Sequence, residues 1–464
     1  MNNPKLNISN VEEGNNSVLF QTPDTFVLYE KLANTIHSGD KTILKNLQQK
    51  VESIEYNPAY ESQTLKKGKD EKVSGLVLNV TENCNFRCSY CINSGNYLNE
   101  QEINSSQMNF GVAKKGVDLF IPQSEDPALI SFYGGEPLNN MGLIKKVVGY
   151  IRKNYPNKEV RFSMTSNFYN VDKYLETIVG NDIYIVMSLD GPKEIHDKNR
   201  IHQAGKPTWD KIISNLKKLE EYSPGYVKSH IGQSVTCADQ NDLLKIADFF
   251  KNEIDYSIFR IGGVETKGLK KKLITKSTFS PTYELASEFL DCIEQEKQIP
   301  NVFRLLFEQK LKMISQRGRE KMPEKLTLNG CCYPGKRKLF VDTDGQLYMC
   351  ERFGKRKSIG DINRGVKQNL VDDVIEEFKQ IRNNLCTDNC WAQRLCTPCI
   401  QSAKDPKGEI SVNGLSQTCN SSKHKILTSL ALYTKIIKRK KEFIEDYLSL
   451  QLNESEVKNG SKNR

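Results

Sequence analysis

Residues 74–91 read SGLVLNVTENCNFRCSYC, and this stretch decides the fold. Its first half, over 75–80, is an apolar run typical of a buried strand, and its second half is a polar loop with three cysteines. Further strand-like runs follow at 129–133, 160–165, 183–189, 227–235 and 256–261. Helical patterns separate most of them, at 111–121, 141–154, 171–179, 209–222 and 243–252. Six β-α units in series predict an α/β fold with parallel strands, in either a doubly wound sheet or a partial (β/α)6 barrel of TIM type.

Patterns on either side of this alternation divide the chain into five predicted parts. Before it, a short strand at 17–20 precedes helical spacing over 25–37 and 41–51. After it, residues 339–349 alternate like a hairpin, with Asp344-Gly345 at the turn. We expect a small N-terminal unit over 1–70, an α/β core over 71–275, a helical bridge over 276–327, a cysteine-rich domain over 328–422, and a C-terminal helix with a polar tail over 423–464.

Composition limits the class of protein. The chain has 464 residues, of which 38% are hydrophobic and 27% charged, as in soluble globular proteins with a large core. No apolar run approaches the roughly 18 residues that a membrane helix needs. The first residues lack the apolar segment of a secretory signal, so we expect a cytoplasmic protein. Cytoplasmic thiols stay reduced, and the 13 cysteines therefore predict metal ligation, catalysis or buried thiols rather than disulfides.

The basic excess is moderate. There are 67 Lys and Arg against 57 Asp and Glu, a net charge of +10. Solvated helix faces account for such an excess, and a surface that attracts an acidic peptide segment or redox protein is the alternative. We expect no nucleic-acid partner, because no recognised binding motif accompanies the charge.

The three cysteines after the first strand are Cys84, Cys88 and Cys91. Three thiols on one short loop can converge on a single centre. A structural zinc site usually has four ligands in CxxC pairs. Three thiolates on a tight loop instead suit an iron–sulfur cubane with one iron left open.

The next strands also end in residues suited to binding. The second predicted strand ends in FYGGEP over 132–137, where two glycines allow close backbone approach and a carboxylate can accept hydrogen bonds from an ammonium. The third ends in TSN over 165–167 and the fourth in SLDG over 188–191. Because carboxyl ends of parallel strands share one edge, these residues are predicted to face one mouth.

CxxxCxxC, GGEP and SLDG in this order, over about residues 74–262, resemble the radical S-adenosylmethionine (SAM) enzymes. The resemblance implies a [4Fe-4S] cluster on Cys84, Cys88 and Cys91 whose open iron chelates the amino and carboxylate groups of SAM. It further implies that reduction cleaves the sulfonium and releases a 5′-deoxyadenosyl radical, which abstracts hydrogen from the substrate.

The same resemblance assigns residues to SAM. It implies that Gly134, Gly135 and Glu136 face the methionine amino group and that Tyr90 packs near the cofactor. The residues implied to line the methionine and ribose are Ser166, Asn167, Ser188 and Asp190. For the first three, ordinary strand-end capping is the alternative. Arg200 either holds the cofactor carboxylate or forms a surface ion pair.

Eight further cysteines crowd the C-terminal third: Cys331, Cys332, Cys350, Cys386, Cys390, Cys396, Cys399 and Cys419. With the hairpin, their pattern resembles the SPASM extension of radical SAM enzymes that modify peptides, which implies two auxiliary [4Fe-4S] clusters. The implied ligands of the first are Cys332 (or Cys331), Cys350 and Cys399. Those of the second are Cys386, Cys390, Cys396 and Cys419. The spacing CxxxCxxxxxCxxC departs from the more frequent CxxCxxxxxCxxxC, and two zinc sites are the alternative.

Glu351 directly follows Cys350 and is a candidate catalytic base, with hairpin-end solvation as the competing interpretation. The N-terminal unit resembles, by element order only, a leader-peptide recognition element of winged-helix type, which captures a peptide by strand addition. These resemblances imply a maturase of a ribosomally synthesised precursor peptide that forms thioether links, as sactipeptide and ranthipeptide synthases do. A flavodoxin- or ferredoxin-type electron donor is expected. The alternatives are an anaerobic sulfatase-maturating (formylglycine-generating) enzyme and a non-catalytic zinc or thiol scaffold.

Overall fold

The structure, a computed structural model, describes residues 5–56, 58–61, 67–98, 102–252, 258–270, 279–328, 330–353, 357–387 and 390–444. Its strands are β1 Ser9–Glu13, β2 Ser17–Thr22, β3 Thr25–Glu30, β4 Thr35–Gly39, β5 Ala59–Glu61, β6 Val73–Thr81, β7 Ser124–Gly134, β8 Val160–Ser166, β9 Tyr184–Ser188, β10 Ile231–Cys237, β11 Ile258–Gly263, β12 Lys325–Thr327, β13 Leu339–Val341, β14 Gln346–Tyr348, β15 Gly360–Asp361 and β16 Gly365–Val366.

The helices follow in chain order. They are α1 Lys41–Glu52, α2 Phe110–Phe120, α3 Met141–Asn154, α4 Leu175–Gly180, α5 Lys193–Asn199, α6 Trp209–Tyr222, α7 Tyr226–His230, α8 Leu243–Asn252, α9 Ser280–Glu294, α10 Asn301–Phe303, α11 Gln309–Ser315, α12 Gln368–Cys386 and α13 Val412–Arg439. A π-helical turn, Arg304–Glu308, connects α10 to α11. Among the described residues, no helix is long and apolar enough to cross a membrane.

The N-terminal unit is a four-stranded antiparallel sheet, β1 to β4 in sequence order, followed by α1. The prediction of a helix over 25–37 is wrong, because this stretch forms β3 and β4. On β3, Leu28 packs towards α1 in a small cluster with Leu19 and Leu44, whereas Val27 and Tyr29 face the main core. Both faces of the strand are buried, so the alternation of a half-exposed strand is absent from the sequence.

The core is a ten-stranded sheet with the order β11-β10-β9-β8-β7-β6-β13-β14-β15-β16. Strands β6 to β11 are parallel, each beside its neighbour in sequence. This order runs in one direction, as in an open β/α barrel, whereas a doubly wound sheet reverses its order at a switch point. The prediction of a strand from residue 227 is wrong at its start, because α7 occupies Tyr226–His230 and β10 begins at Ile231.

The C-terminal region extends the same sheet. The predicted hairpin is present as β13 and β14, with Gly345 in the left-handed region (φ +86°), and β13 pairs in parallel with β6. Helix α12 lies within the predicted cysteine-rich domain, where no helix is predicted. The last helix is predicted from residue 423, whereas α13 begins at Val412 and includes Cys419. The predicted polar tail, 453–464, lies outside the described residues.

Candidate functional site

The three-cysteine loop follows β6 at the carboxyl end of the parallel strands. Backbone hydrogen bonds pin it on two sides: Glu136 N donates to Asn83 O over 2.9 Å, and Ser89 N donates to Asn199 O over 3.0 Å. Burial is the main reason that the pKa of the Cys84 and Cys88 thiols rises to about 12. Cationic iron stabilises the thiolate that burial alone disfavours, so this donor set suits an iron cluster.

The GGE turn after β7 holds this loop in place. Gly134 has a φ of +141°, and a Cβ at Gly135 would lie 2.4 Å from Asn83 O, so a side chain there would displace the loop. The Glu136 carboxylate accepts hydrogen bonds from Ser166 Oγ (2.8 Å) and from the backbone N atoms of Asn167 (2.7 Å) and Leu138 (3.1 Å).

The side chain of Glu136 therefore points into the protein. The structure places its carboxylate between the ends of β7 and β8, and its role towards the methionine amino group stays a prediction. Burial raises the pKa of Glu136 to about 7, although its three hydrogen-bond donors oppose the rise. Ser166 and Asn167 are buried partners of this carboxylate, which agrees with the capping alternative.

Beside the loop, Tyr90, Asp190 and Arg200 form a buried network. The Tyr90 hydroxyl donates to Asp190 Oδ2, and Thr236 N donates to Asp190 Oδ1 over 2.9 Å. Arg200 Nε lies 3.0 Å from Asp190 Oδ2, and its guanidinium lies 5.4 Å from the centre of the Tyr90 ring. The alternative of a surface ion pair for Arg200 is wrong, because the side chain is buried. Its positive charge opposes the burial-driven rise in the pKa of Cys88.

Several buried polar atoms near this loop have no hydrogen-bond partner among the described residues. They include Asn79 Oδ1 and Asn85 Nδ2. Buried polar groups are nearly always satisfied in native proteins, so unsatisfied ones call for a ligand. An amino acid-like group such as the methionine part of SAM has an ammonium and a carboxylate, which complement this acceptor and this donor. Ser188, half-buried at the end of β9, adds a hydroxyl at this edge.

The C-terminal cysteines divide into two groups. In the first, the charge of Cys399 adds to the effect of burial, which raises the pKa of Cys331 and Cys350 to about 12. Cys332 also interacts with Cys399. The second group lines a single cavity: Cys386, Cys390, Cys396 and Cys419. The assignment of these thiols to two auxiliary clusters stays a prediction.

Within the described part of the chain, no three cysteine, histidine or carboxylate side chains lie close enough to hold a single metal ion. The second group is defined by the cavity that its thiols line, and the first group by the electrostatic effects among its thiols. Four thiols around one cavity are a suitable donor set for a cubane cluster.

Glu351 directly follows Cys350 of the first C-terminal cysteine group. Its Oε1 is paired with Lys338 Nζ over 2.6 Å, and its buried Oε2 has no hydrogen-bond partner among the described residues. Burial raises the pKa of Tyr133, at the end of β7, and the charges of Glu351 and Cys91 add to the rise. Tyr133 thus lies within the influence of both the Glu351 carboxylate and Cys91 of the three-cysteine loop. Tyr133 is not among the predicted site residues, although it directly precedes the GGE turn.

Residues 78–232 match the family model of the Radical SAM superfamily. This range contains the three-cysteine loop, the GGE turn and the Asp190–Arg200 network. This part of the chain, with its parallel strands and its three-cysteine loop, is therefore a radical SAM domain.

Two curated relatives and one solved structure are similar to this chain beyond the radical SAM domain. A cysteine-type anaerobic sulfatase-maturating enzyme of Clostridium novyi (strain NT) is 24% identical over 348 residues, which cover 69% of this chain and 88% of the relative. Radical SAM cyclopropyl synthase TigE of Paramaledivibacter caminithermalis is 25% identical over 235 residues, 47% of each chain. The structure of native anSMEcpe with bound AdoMet and Cp18Cys peptide has a TM-score of 0.57 at 20% identity and covers 77% of this chain and 97% of its own.

Proposed function

We propose that the protein is a radical SAM enzyme that modifies a ribosomally synthesised precursor peptide by forming thioether links between a cysteine sulfur and a carbon atom. Bound SAM and its [4Fe-4S] cluster, held by Cys84, Cys88 and Cys91, supply the radical that abstracts hydrogen from the peptide. Joining S–H and C–H groups into a C–S bond removes two protons and two electrons overall: the radical takes one hydrogen atom from carbon, the sulfur loses one proton, and one electron remains to be passed on. Auxiliary clusters on the two C-terminal cysteine groups suit a reaction that has electrons to pass on.

In this proposal, the residues of the chain divide the work. Arg200 and the unsatisfied amides of Asn79 and Asn85 bind and orient the methionine part of SAM. Asp190 holds Arg200 and Tyr90 in position. Glu351, whose Oε2 has no hydrogen-bond partner among the described residues, takes the proton that leaves the peptide sulfur.

The choice of a precursor peptide as the substrate rests on the edge of the N-terminal sheet. Strand β1 pairs only with β2 among the described strands, so its outer edge offers unpaired backbone groups. Val11 on β1 and Ile43 on α1 are 42% and 68% exposed. The ion pair between Lys45 on α1 and Glu12 on β1 shows that the two elements are neighbours. An extended peptide can add to such an edge as a strand, with main-chain hydrogen bonds supplying affinity.

A second candidate is the conversion of a protein cysteine or serine to formylglycine, and the curated sulfatase-maturating relatives favour it. The two candidates differ in their product. A thioether lowers the peptide mass by that of a hydrogen molecule per link and leaves a cysteine that no longer reacts with iodoacetamide. Formylglycine is an aldehyde and reacts with hydrazides.

The first test is co-expression without oxygen with the precursor peptide encoded beside this protein, followed by mass spectrometry. Hydrogen loss with blocked thiols supports the proposal, and an aldehyde product supports the second candidate. A peptide that stays unmodified, while SAM is cleaved, contradicts both.

The second test concerns the sheet edge. Removing residues 1–65 is not a clean experiment, because Tyr29 packs against Trp391 at a ring distance of 6.2 Å and Tyr60 contacts Arg382. Val11→Glu with Ile43→Glu changes only exposed side chains, and it is expected to weaken peptide binding at least tenfold. Tyr222→Glu, 51% exposed on α6, is the matched control. If the native protein, the double variant and the control bind the peptide with equal affinity, the sheet edge is not the peptide-binding surface.

A further inference from the structure

A buried arginine faces the cavity of the second cysteine group. Arg382 lies on α12, one turn before Cys386, and it lines the cavity together with Cys386, Cys390, Cys396 and Cys419. Its side chain is among the largest fully buried ones, with 1% of the residue exposed. Such burial of an arginine is rare unless the charge has a partner.

The partners of Arg382 satisfy only part of its guanidinium. Nη2 donates to the Tyr60 hydroxyl, and the guanidinium carbon lies 4.4 Å from the centre of the Tyr60 ring. Nε and Nη1 have no acceptor among the described residues. Tyr60 is neutral, so this contact orients the guanidinium without neutralising its charge.

The cavity brings this charge to the thiols. Arg382 shares its lining with Cys386, Cys390, Cys396 and Cys419. Two N–H donors without an acceptor among the described residues, and one charge that Tyr60 does not neutralise, thus meet four thiols at one cavity.

We propose that Arg382 raises the reduction potential of a [4Fe-4S] cluster held by Cys386, Cys390, Cys396 and Cys419. The inference rests on the auxiliary clusters of the proposed function. Reduction adds one electron, supplied by a low-potential donor, to a centre that four thiolates already make anionic. Net charge and hydrogen bonds to sulfur set the potentials of such clusters. A buried cation with two free N–H donors stabilises the reduced form more than the oxidised one. Tyr60 is the positioning residue that aims these donors.

The test measures potential in the full-length chain. Replacing Cys84, Cys88 and Cys91 by alanine removes the first cluster site and keeps both C-terminal cysteine groups, and redox titration followed by electron paramagnetic resonance then reports their clusters. The signal lost on Cys419→Ser is the one assigned to the second group. In this background, Arg382→Met is expected to lower the reduction equilibrium constant of that signal at least tenfold, or 59 mV for one electron.

Three further variants separate charge from structure. Arg382→Lys keeps the charge and is expected to restore most of the potential. Arg382→Gln keeps an N–H donor without charge and is expected to fall between Lys and Met. Lys379→Met on the same helix removes an equal charge that is already paired with Glu376, and it is expected to leave the potential unchanged.

Iron and sulfide analysis of every protein distinguishes the outcomes. An unchanged potential in Arg382→Met with full iron content overturns the inference and leaves the proposed function intact. Loss of iron from both neutral variants also overturns it, because Arg382 is then needed for cluster assembly instead. A parent protein that binds no iron overturns the auxiliary clusters and the inference together.

Discussion

The buried ion pair of Asp190 and Arg200, beside the three-cysteine loop, gives a prediction about the stability of the fold. Asp190 is fully buried, and it accepts hydrogen bonds from the Tyr90 hydroxyl and from Thr236 N besides pairing with Arg200. Asp190→Asn keeps the size of the side chain but leaves the Arg200 guanidinium buried without a counter-charge. Breaking a buried pair from one side costs about 3–5 kcal/mol.

An exposed pair supplies the comparison. Lys193 and Asp210 form an ion pair with side chains 51% and 67% exposed, and such pairs are worth about 0.2–1 kcal/mol. Asp210→Asn is therefore the matched control. Adding Arg200→Met to Asp190→Asn removes the uncompensated charge, so the double variant is expected to regain most of the lost stability.

The assay is urea unfolding of the full-length chain under reducing conditions, followed by circular dichroism. We expect Asp190→Asn to unfold at clearly lower urea concentration than either the control or the double variant. The reasoning is refuted if Asp190→Asn and Asp210→Asn lose the same stability, or if the double variant is no more stable than Asp190→Asn alone.

Three further predictions concern the same site and the cavity. Burial raises the pKa of Glu136 from 4.5 to about 7, so between these pH values the folded state holds a proton that the unfolded chain releases. The free energy of unfolding should therefore fall by about 3 kcal/mol as pH rises from 4.5 to 7. Glu136→Gln should remove this decline when urea unfolding is measured across the same pH range. Gly135→Ala places a Cβ 2.4 Å from a loop carbonyl oxygen and should reduce bound iron, whereas Gly142→Ala, with nothing within 4 Å, should not. Cys419→Ser should lower iron by about 4 per chain, and Cys237→Ser, a buried thiol outside both groups, should leave it unchanged.

The elements that sequence predicts best are amphipathic helices on the sheet. The bounds of α3, α6 and α8 agree with the predicted ranges, because each helix has one apolar face with a period near 3.6 residues. Strand β3 was mistaken for a helix because both of its faces are buried. The helix α12 was missed although Val371, Val374, Ile375 and Phe378 have helical spacing and are buried.

Some contacts of the candidate site could be predicted from the sequence, and others could not. The meeting of Cys84, Gly135 and Asn167 could be predicted, because carboxyl ends of neighbouring parallel strands share an edge. The contacts of Tyr90 with Asp190, and of Arg382 with Tyr60, join residues 100 and 322 positions apart. Such pairs depend on side-chain directions that spacing along the chain does not specify.

The central claim is that the thiols of Cys84, Cys88 and Cys91 hold the cluster that activates SAM. The most direct measurement is the release of 5′-deoxyadenosine from SAM by the full-length protein, reconstituted with iron and sulfide without oxygen and reduced with dithionite. The variant with all three cysteines replaced by alanine is measured in parallel. The account predicts release by the native sequence and none by the variant. Equal release by both, or none by an iron-loaded native protein, would contradict it.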